Sequence, residues 1–380
     1  MNLSAMLERE DFFPLFFESV KEYFRLVYGK EVDIGFADKK TANLVIKPKL
    51  GAAMPPRLSG RARGFFYSEW NVRNSFVKYC IAKVGVFALT HSGKSFSQFY
   101  LRMLPSEMAT KDLVIVPNNR SIRFFDYQTD TVGCIIKKGF TDKYFSNQIR
   151  FRTQYSYPFM VPLLRHGDTW FEEPILKGHP LARVTDQKAY QKGIADAKQG
   201  IFCLMSDTKR EVDTNTYISN LLEKITDLTE QAKIRKQIKK GEKTLEIAKN
   251  AATIATKLDK ITLCQSHGDF QSGNIWVDTD GKTWIYDWET AGERSVWYDI
   301  SVLSYSLRRA YGWGDFWKNE LPSQMLFEQQ NSTPEQYRAM KCVVLLEDIV
   351  FYLEDMLELP ENWGVEIYDA FVERIELLEF

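Results

Sequence analysis

The chain has no surplus of either charge: its 380 residues carry 50 Lys and Arg against 50 Asp and Glu. The global basic field that draws a protein nonspecifically onto nucleic acid is therefore missing, and nucleic acid is not expected as a partner. No 18-residue apolar run occurs, so no transmembrane segment is expected. Glu8, Glu10 and Asp11 stand where a secretion signal would place its basic and apolar regions. The five cysteines, Cys80, Cys134, Cys203, Cys264 and Cys342, are scattered, odd in number and mostly in apolar surroundings. That argues against a disulfide frame or a zinc site and reads as buried thiols of a reducing compartment, so the expected localisation is cytoplasmic. What the chain does have is 44% hydrophobic and 14% aromatic residues, ample for packed cores, and a length that allows two or three domains.

The most informative stretch is His267-Gly268-Asp269-Phe270-Gln271-Ser272-Gly273-Asn274, followed by Ile285-Tyr286-Asp287-Trp288-Glu289. Ile275-Trp276-Val277 leaves the polar turn as a short strand, Asp278-Thr279-Asp280-Gly281 is a turn signal, and Thr283 to Tyr286 returns antiparallel. This brings Asp287 back beside Asn274. A hydroxyl attacking a γ-phosphate needs a carboxylate to orient it and take its proton, while hard oxygen ligands hold Mg²⁺ against the phosphates. Asp269 fits the first role, as the candidate catalytic residue; Asn274 and Asp287 fit the second, as candidate metal ligands.

These residues resemble the catalytic and metal-binding loops of the aminoglycoside phosphotransferase and choline kinase-like family, which writes His-Gly-Asp, four residues, Asn, and later Asp-Trp-Glu. The resemblance covers roughly residues 110 to 310. It implies an α+β, two-lobed protein-kinase-like fold with a small antiparallel β lobe, a larger helical lobe, and ATP and Mg²⁺ as cofactors. The expected acceptor is the hydroxyl of a small molecule or glycan, such as a sugar or amino alcohol. An aminoglycoside would call for an acidic pocket, and the balanced charge gives that no special support. Tyr298-Asp299-Ile300-Ser301 resembles the family's Asp-Leu-Ala, whose Asp braces the catalytic loop. The expected organisation is an extra N-terminal region over 1–108, a small nucleotide-binding lobe over 109–178 and a catalytic lobe over 179–380.

A kinase-like small lobe must supply a lysine on a strand. Asp112 to Pro117 and Ile122 to Tyr127 read as strands, and Thr131 to Lys137 as a third; period-two alternation puts Gly133, Ile135 and Lys137 on one face. By the resemblance, Lys137 contacts the α- and β-phosphates and Ile135 flanks the base. The turn at Pro117 to Ser121 occupies the phosphate-covering position without any glycine, so a cradle there falls to Asn118, Asn119 and Ser121 with their amides. Asp142 to Tyr155 reads as a helix. Where the family places a Glu to pair with the strand lysine, this chain has Gln148, which offers no counter-charge. That departure motivates a rival reading, a nucleotide-binding regulatory module without turnover. Phe159 to Leu164 and Thr169 to Leu176 read as the last strands, joined by a turn at Arg165 to Asp168. Glu172 to Gly178 resembles the family's hinge, whose backbone meets the adenine edge, with Glu173, Ile175 and Leu176 as the residues concerned.

Thr185 to Leu258 has helical apolar spacing, and its basic run Lys233 to Lys243 reads as a solvated face. Gln336 to Phe380 also has helical spacing, around Val343, Leu346, Val350 and Leu353, and is expected to pack on the large lobe or wall the acceptor site. In the first hundred residues, His91-Ser92-Gly93-Lys94-Ser95 looks like the tail of a P-loop, but the leading glycine would fall at Ala88 and the flanks alternate like hairpin strands. For the region as a whole three readings stay open: an accessory domain, extra strands on the small lobe, or a dimer surface.

Overall fold

The computed structural model describes residues 3, 6–7, 11–69, 76–319, 321, 333–359 and 364–378; Glu8 and Glu10 lie outside them. The chain divides into two compact units, one of residues 1–156 and 161–179, the other of 157–160 and 180–380.

The first unit is built on one sheet of nine strands in the order β1-β4-β2-β3-β5-β6-β7-β9-β8. Helix α1 (Phe12–Tyr28) precedes β1 (Asp33–Phe36), β2 (Leu44–Lys47) and β3 (Ala52–Met54). Helices α2 (Gly60–Glu69) and α3 (Phe76–His91) lead to β4 (Phe99–Leu104), then β5 (Leu113–Pro117), β6 (Ser121–Asp126) and β7 (Thr131–Ile136). Helix α4 (Lys143–Gln154), β8 (Arg165–His166) and β9 (Trp170–Pro174) complete it. The described part of 1–108 is therefore no region apart: β1 to β4 extend the sheet, because β3 pairs with β5 through Ala53 and Ile115. A helix, not a hairpin strand, runs into His91-Ser92-Gly93-Lys94-Ser95. No helix starts after the lysine, as a P-loop requires, and Lys94 Nζ is spent on the carbonyls of Lys39 and Lys40 at 2.6 and 2.9 Å.

Alternation sorts the sheet's side chains onto two faces. Leu113, Ile115, Ile122, Phe124 and Ile135 pack under α1, whose Phe12, Phe16, Val20, Tyr23, Phe24 and Val27 recur at helical spacing on one side. Val114, Phe125 and Tyr127 pack with Phe66 and Val86 from α2 and α3, while Cys134 and Phe171 pack with Phe145 and Ile149 from α4. The α1 side is close-fitting at Gly133, where an added Cβ would lie 1.8 Å from Tyr23 Oη; the Tyr23 ring stacks on Phe124 at 3.8 Å.

The strand expected over Phe159 to Leu164 is not formed. Met160 instead bridges Ile285 within the second unit, and the short strand falls at Arg165–His166, where a turn was expected. Strand β10 (Gly178–Pro180) runs from the first unit into the second. There α5 (Gln187–Thr208), β11 (Arg210–Asp213), α6 (Thr214–Lys236) and α7 (Gly241–Ala255) precede β12 (Lys260–Ser266), β13 (Ile275–Asp278), β14 (Thr283–Ile285) and β15 (Gly292–Ser295). Helices α8 (Tyr298–Ser304), α9 (Gly312–Lys318), α10 (Pro334–Glu358) and α11 (Val365–Glu376) follow. Strand β12 lies between β11 and β15, and α10 packs on α6 and α7. The basic run is solvated in part: Lys233, Lys240 and Lys243 meet Glu242, Glu373 and Glu246, whereas Lys236 is buried with its ammonium on the Leu359 carbonyl. Cys134, Cys264 and Cys342 are buried thiols as expected, but Cys80 and Cys203 are exposed.

Candidate active site

Strand β12 ends at Ser266, and the chain turns sharply at Gly268, whose φ of +84° and would-be Cβ contact of 2.3 Å with Thr290 O leave room for glycine alone. Asp299, at the start of α8 and buried, holds this turn. Its carboxylate accepts from Ser266 Oγ (2.8 Å), His267 N (2.6 Å) and Gly268 N (3.0 Å). The brace expected of Asp299 is thus present. His267 is fully buried, its Nε2 is 2.9 Å from Tyr286 O, and its Nδ1 receives the Asp269 amide at 3.2 Å. These partners assign the proton to Nε2, so the imidazole is a spacer between the loop and the hairpin and leaves no nitrogen for substrate.

The hairpin forms as read. Ile275 pairs with Ile285, Trp276 with Trp284 and Val277 with Thr283, while Asp278 Oδ1 accepts the amides of Asp280 and Lys282 to close the turn. Tyr286 N donates to Asn274 O at 3.1 Å, which sets Asp287 next to Asn274 along the ladder. Asp287 adopts a left-handed backbone, φ +69°, rare for a residue with a side chain and a mark of a position held by its surroundings. Asn274 Nδ2 donates to Asp269 O (2.9 Å) and Oδ2 (3.0 Å), so the amide's oxygen is the end it presents elsewhere. An amide oxygen and a carboxylate are hard donors that suit Mg²⁺, with phosphate and water oxygens filling the remaining positions. Among the described residues there is no cluster of three His, Cys, Asp or Glu of the kind that holds a metal by protein ligands alone.

Asp269 is held on three sides. Oδ1 pairs with Arg308 Nε at 2.8 Å, and Oδ2 takes Gln271 Nε2 at 2.8 Å besides Asn274. Burial by itself would raise the Asp269 pKa, but the Arg308 charge and the hydrogen bonds from Arg308 and Gln271 outweigh it and hold the carboxyl below its ordinary value. Arg308, in the turns after α8, also meets Asp348 Oδ1 (2.7 Å), Gly268 O (3.1 Å) and Tyr298 Oη (3.0 Å), and its guanidinium lies 4.1 Å from the Phe351 ring centre. Asp348 and Phe351 belong to α10. Helix α10 is therefore tied to the loop that bears Asp269 through one arginine, a link the sequence reading missed.

A cavity of about 270 Å³ opens at this loop. Asp269, Gln271, Asp287, Glu289, Thr290 and Arg308 line it from below, and Phe351, Tyr352, Asp355 and Ile367 from the C-terminal helices. Four carboxylates against one arginine make its lining acidic, a local property hidden by the chain's overall balance. Of the two places expected for the C-terminal segment, the packing of α10 on α6 and α7 is seen, and its Phe351, Tyr352 and Asp355 also line this cavity.

In the first unit the expected nucleotide residues separate. Lys137 follows β7 directly, is fully buried, and carries its ammonium 4.7 Å from the Phe140 ring centre. Its amide donates to Arg120 O at 2.9 Å, which joins it to the turn where Asn119 is exposed and Ser121 begins β6. Ile135 is a correction: it is 1% exposed in the core beneath α1, so it has no surface for a base. Glu173 lies within β9, paired with Arg152 of α4 at 2.9 Å, and Ile175 N is committed to Asp130 O at 2.9 Å. The Ile175 amide is thus spent within the first unit; Leu176 lies between β9 and β10, half-buried. Gln148 is buried, 6% exposed, and among the described residues its Oε1 has no hydrogen-bond partner.

Residues 166–339 match the model of the phosphotransferase enzyme family, and the resemblance carried by His267 to Glu289 is the one this match finds. No curated protein matches the sequence. Among solved structures, a choline/ethanolamine kinase family protein from Mesorhizobium loti is 16% identical at TM-score 0.47, over 69% of this chain and 86% of its own. An ethanolamine kinase from Plasmodium vivax is 13% identical at TM-score 0.45, over 84% and 95%. An ADP-bound aminoglycoside phosphotransferase is 15% identical at TM-score 0.42, over 69% and 90%.

Proposed function

We propose that this chain is an ATP- and Mg²⁺-dependent phosphotransferase acting on a hydroxyl of a small molecule or glycan. The observation that carries the reading is the convergence of Asp269, Asn274 and Asp287: one carboxylate bonded to the amide whose oxygen, with a second carboxylate, suits a hard cation. Asp269 orients the acceptor hydroxyl and accepts its proton as the new O–P bond to the γ-phosphorus forms and the bond from that phosphorus to the bridging oxygen breaks, releasing ADP. With its pKa held down it is a weak base, so orientation is the larger part of its work, in keeping with a loose phosphoryl-transfer transition state. Asn274 Oδ1 and Asp287 would hold Mg²⁺, which when bound neutralises phosphate charge. Lys137 and the turn bearing Asn119 and Ser121 are assigned to the nucleotide phosphates. The lining of Asp269, Asp287, Glu289 and Asp355 against the single Arg308 is acidic and favours an acceptor that also carries a cationic amine.

The test is phosphate incorporation from labelled ATP with Mg²⁺ into a panel of amino alcohols, amino sugars and neutral sugars. Transfer to amine-bearing alcohols is expected. The second reading, a nucleotide-binding module without turnover, is motivated by Gln148, which stands buried where the resemblance places a carboxylate. Nucleotide binding without transfer to any acceptor would replace the first reading by the second.

A further inference from the structure

Helix α3 carries apolar side chains on both its inner and its outer side, and Lys83 besides, yet lies on the surface of the first unit. Val86, at 0% exposure, and Thr90, at 3%, face the sheet and pack it down, while Ile81, Val84 and Phe87 on the opposite side are 66, 68 and 56% exposed. A helix with two apolar faces is ordinarily covered on both. The helix is also fixed firmly: Lys47, buried beneath it, donates to Leu89 O and to Ser92 Oγ (2.9 Å) at its C-terminal end. The exposed side chains are thus held out by a docked helix.

Charge decides what covers them. Residues 38–94 contain eleven Lys and Arg against two acids, Asp38 and Glu69, in a chain that is neutral overall; Lys47 is buried and Arg61 pairs with Asp130, which leaves nine. At the C-terminal end of α3 the loops converge: Lys94 Nζ bonds the carbonyls of Lys39 and Lys40, and the would-be Cβ of Gly93 lies 3.9 Å from Pro56 O, beside Arg57. Lys39, Lys40 and Arg57 are exposed there, and so is Phe96, at 75%. Asp38 spends its carboxylate on the amides of Lys40 and Thr41. A second copy of this face would bring like charges together. An anionic bilayer answers both properties, taking the apolar stripe into its interface and the basic rim against its headgroups.

We propose that α3 and the loops at its C-terminal end form a docking surface for anionic lipid membranes, by which the protein binds peripherally. Among the described residues no helix is long and apolar enough to cross a membrane, so the attachment is to one leaflet.

The test is co-sedimentation of the full chain with phosphatidylcholine vesicles, with and without phosphatidylserine. Pelleting is expected with the phosphatidylserine vesicles alone and weakens as salt is raised. An Ile81→Ser, Val84→Ser, Phe87→Ser variant and a separate Lys39→Glu, Lys40→Glu, Arg57→Glu variant should each lower partitioning by about tenfold or more. Both sets change exposed side chains, so melting temperature should stay at the wild-type value. Wild type left in the supernatant at low salt overturns the proposal, as does pelleting of both folded variants to the same extent as wild type. A dimer in sedimentation velocity that Phe87→Ser breaks, without vesicle binding, would give the face to a second copy instead.

Discussion

Replacing Arg308 by Gln separates two effects that one guanidinium now combines. The first is on chemistry. Arg308 Nε lies 2.8 Å from Asp269 Oδ1, and its charge, with its hydrogen bond, is what overcomes burial in setting that carboxyl's pKa. An opposite charge at this range moves a carboxylate by about 1–3 units, so the acid limb of log kcat/KM against pH should move upward by about that much. The sign follows from the direction of the shift: a depressed carboxyl stays ionised until pH falls through its folded value, and without Arg308 burial dominates and protonation begins at higher pH. The second effect is on stability. Arg308 Nη1 also meets Asp348, which is 0% exposed, and an unbalanced buried charge costs about 3–5 kcal/mol.

A double variant, Arg308→Gln with Asp348→Asn, removes the orphaned charge but not the effect on Asp269. Urea unfolding should show most of the stability loss recovered in the double variant, while the pH–rate profile stays displaced in both. If the acid limb remains where wild type has it, in variants that are folded and active, then Asp269 is not the group whose ionisation limits the reaction, and its assignment as the acceptor-orienting base is wrong.

Asp287→Ala should abolish the rise in melting temperature that Mg²⁺ and ATP give wild type, with Asn274→Ala milder; equal stabilisation of wild type and Asp287→Ala would remove the metal assignment. Asp269→Asn should keep nucleotide affinity within a few fold while lowering turnover by about 10²–10⁴, and loss of nucleotide binding in a folded variant would make Asp269 a ligand residue instead. Glu347 supplies a pH dependence of stability: burial pushes its carboxyl from 4.5 up to about 7, against hydrogen bonds from Tyr217 and Ser295. Its contribution is complete below the unfolded value and is lost as pH rises through about 7, a change of about 3 kcal/mol, so the stability difference between wild type and Glu347→Gln should shift by that order between pH 4.5 and 8. A difference that is flat with pH would show that Glu347 does not titrate in this window.

The parts of the site that were legible are those written in one continuous stretch. The turn at Gly268, the hairpin closed by Asp278 and Gly281, and the return of Asp287 beside Asn274 depend on local spacing and turn chemistry, which sequence carries directly. The brace at Asp299 followed from the resemblance. Ile135 shows the limit of local pattern. Alternation correctly put Gly133 and Ile135 on one face, but which face meets a ligand was decided by α1, more than a hundred residues earlier, whose Phe12, Phe16 and Tyr23 cover it. Extra strands over 1–108 were one of three open readings, and what selects it, the pairing of β3 with β5, is a tertiary event that local pattern does not carry.

Glu347 and Asp348 left a sequence signal that apolar spacing passed over. Two adjacent acids in Val343-Val344-Leu345-Leu346-Glu347-Asp348-Ile349-Val350 are out of place in a buried helix unless each has a partner. The partners come from elements far apart in the chain: Glu347 receives Tyr217 and Ser295, and Asp348 receives Tyr298 and Arg308. Because Arg308 then passes from Asp348 to Asp269, the seating of α10 and the orientation of the Asp269 carboxylate depend on the same side chain. A lesion in the middle of α10 should therefore be felt in the acid limb of the rate profile as well as in stability. Asp348→Asn alone, which frees Arg308 from one of its two carboxylates without touching the loop, is the substitution that isolates this link.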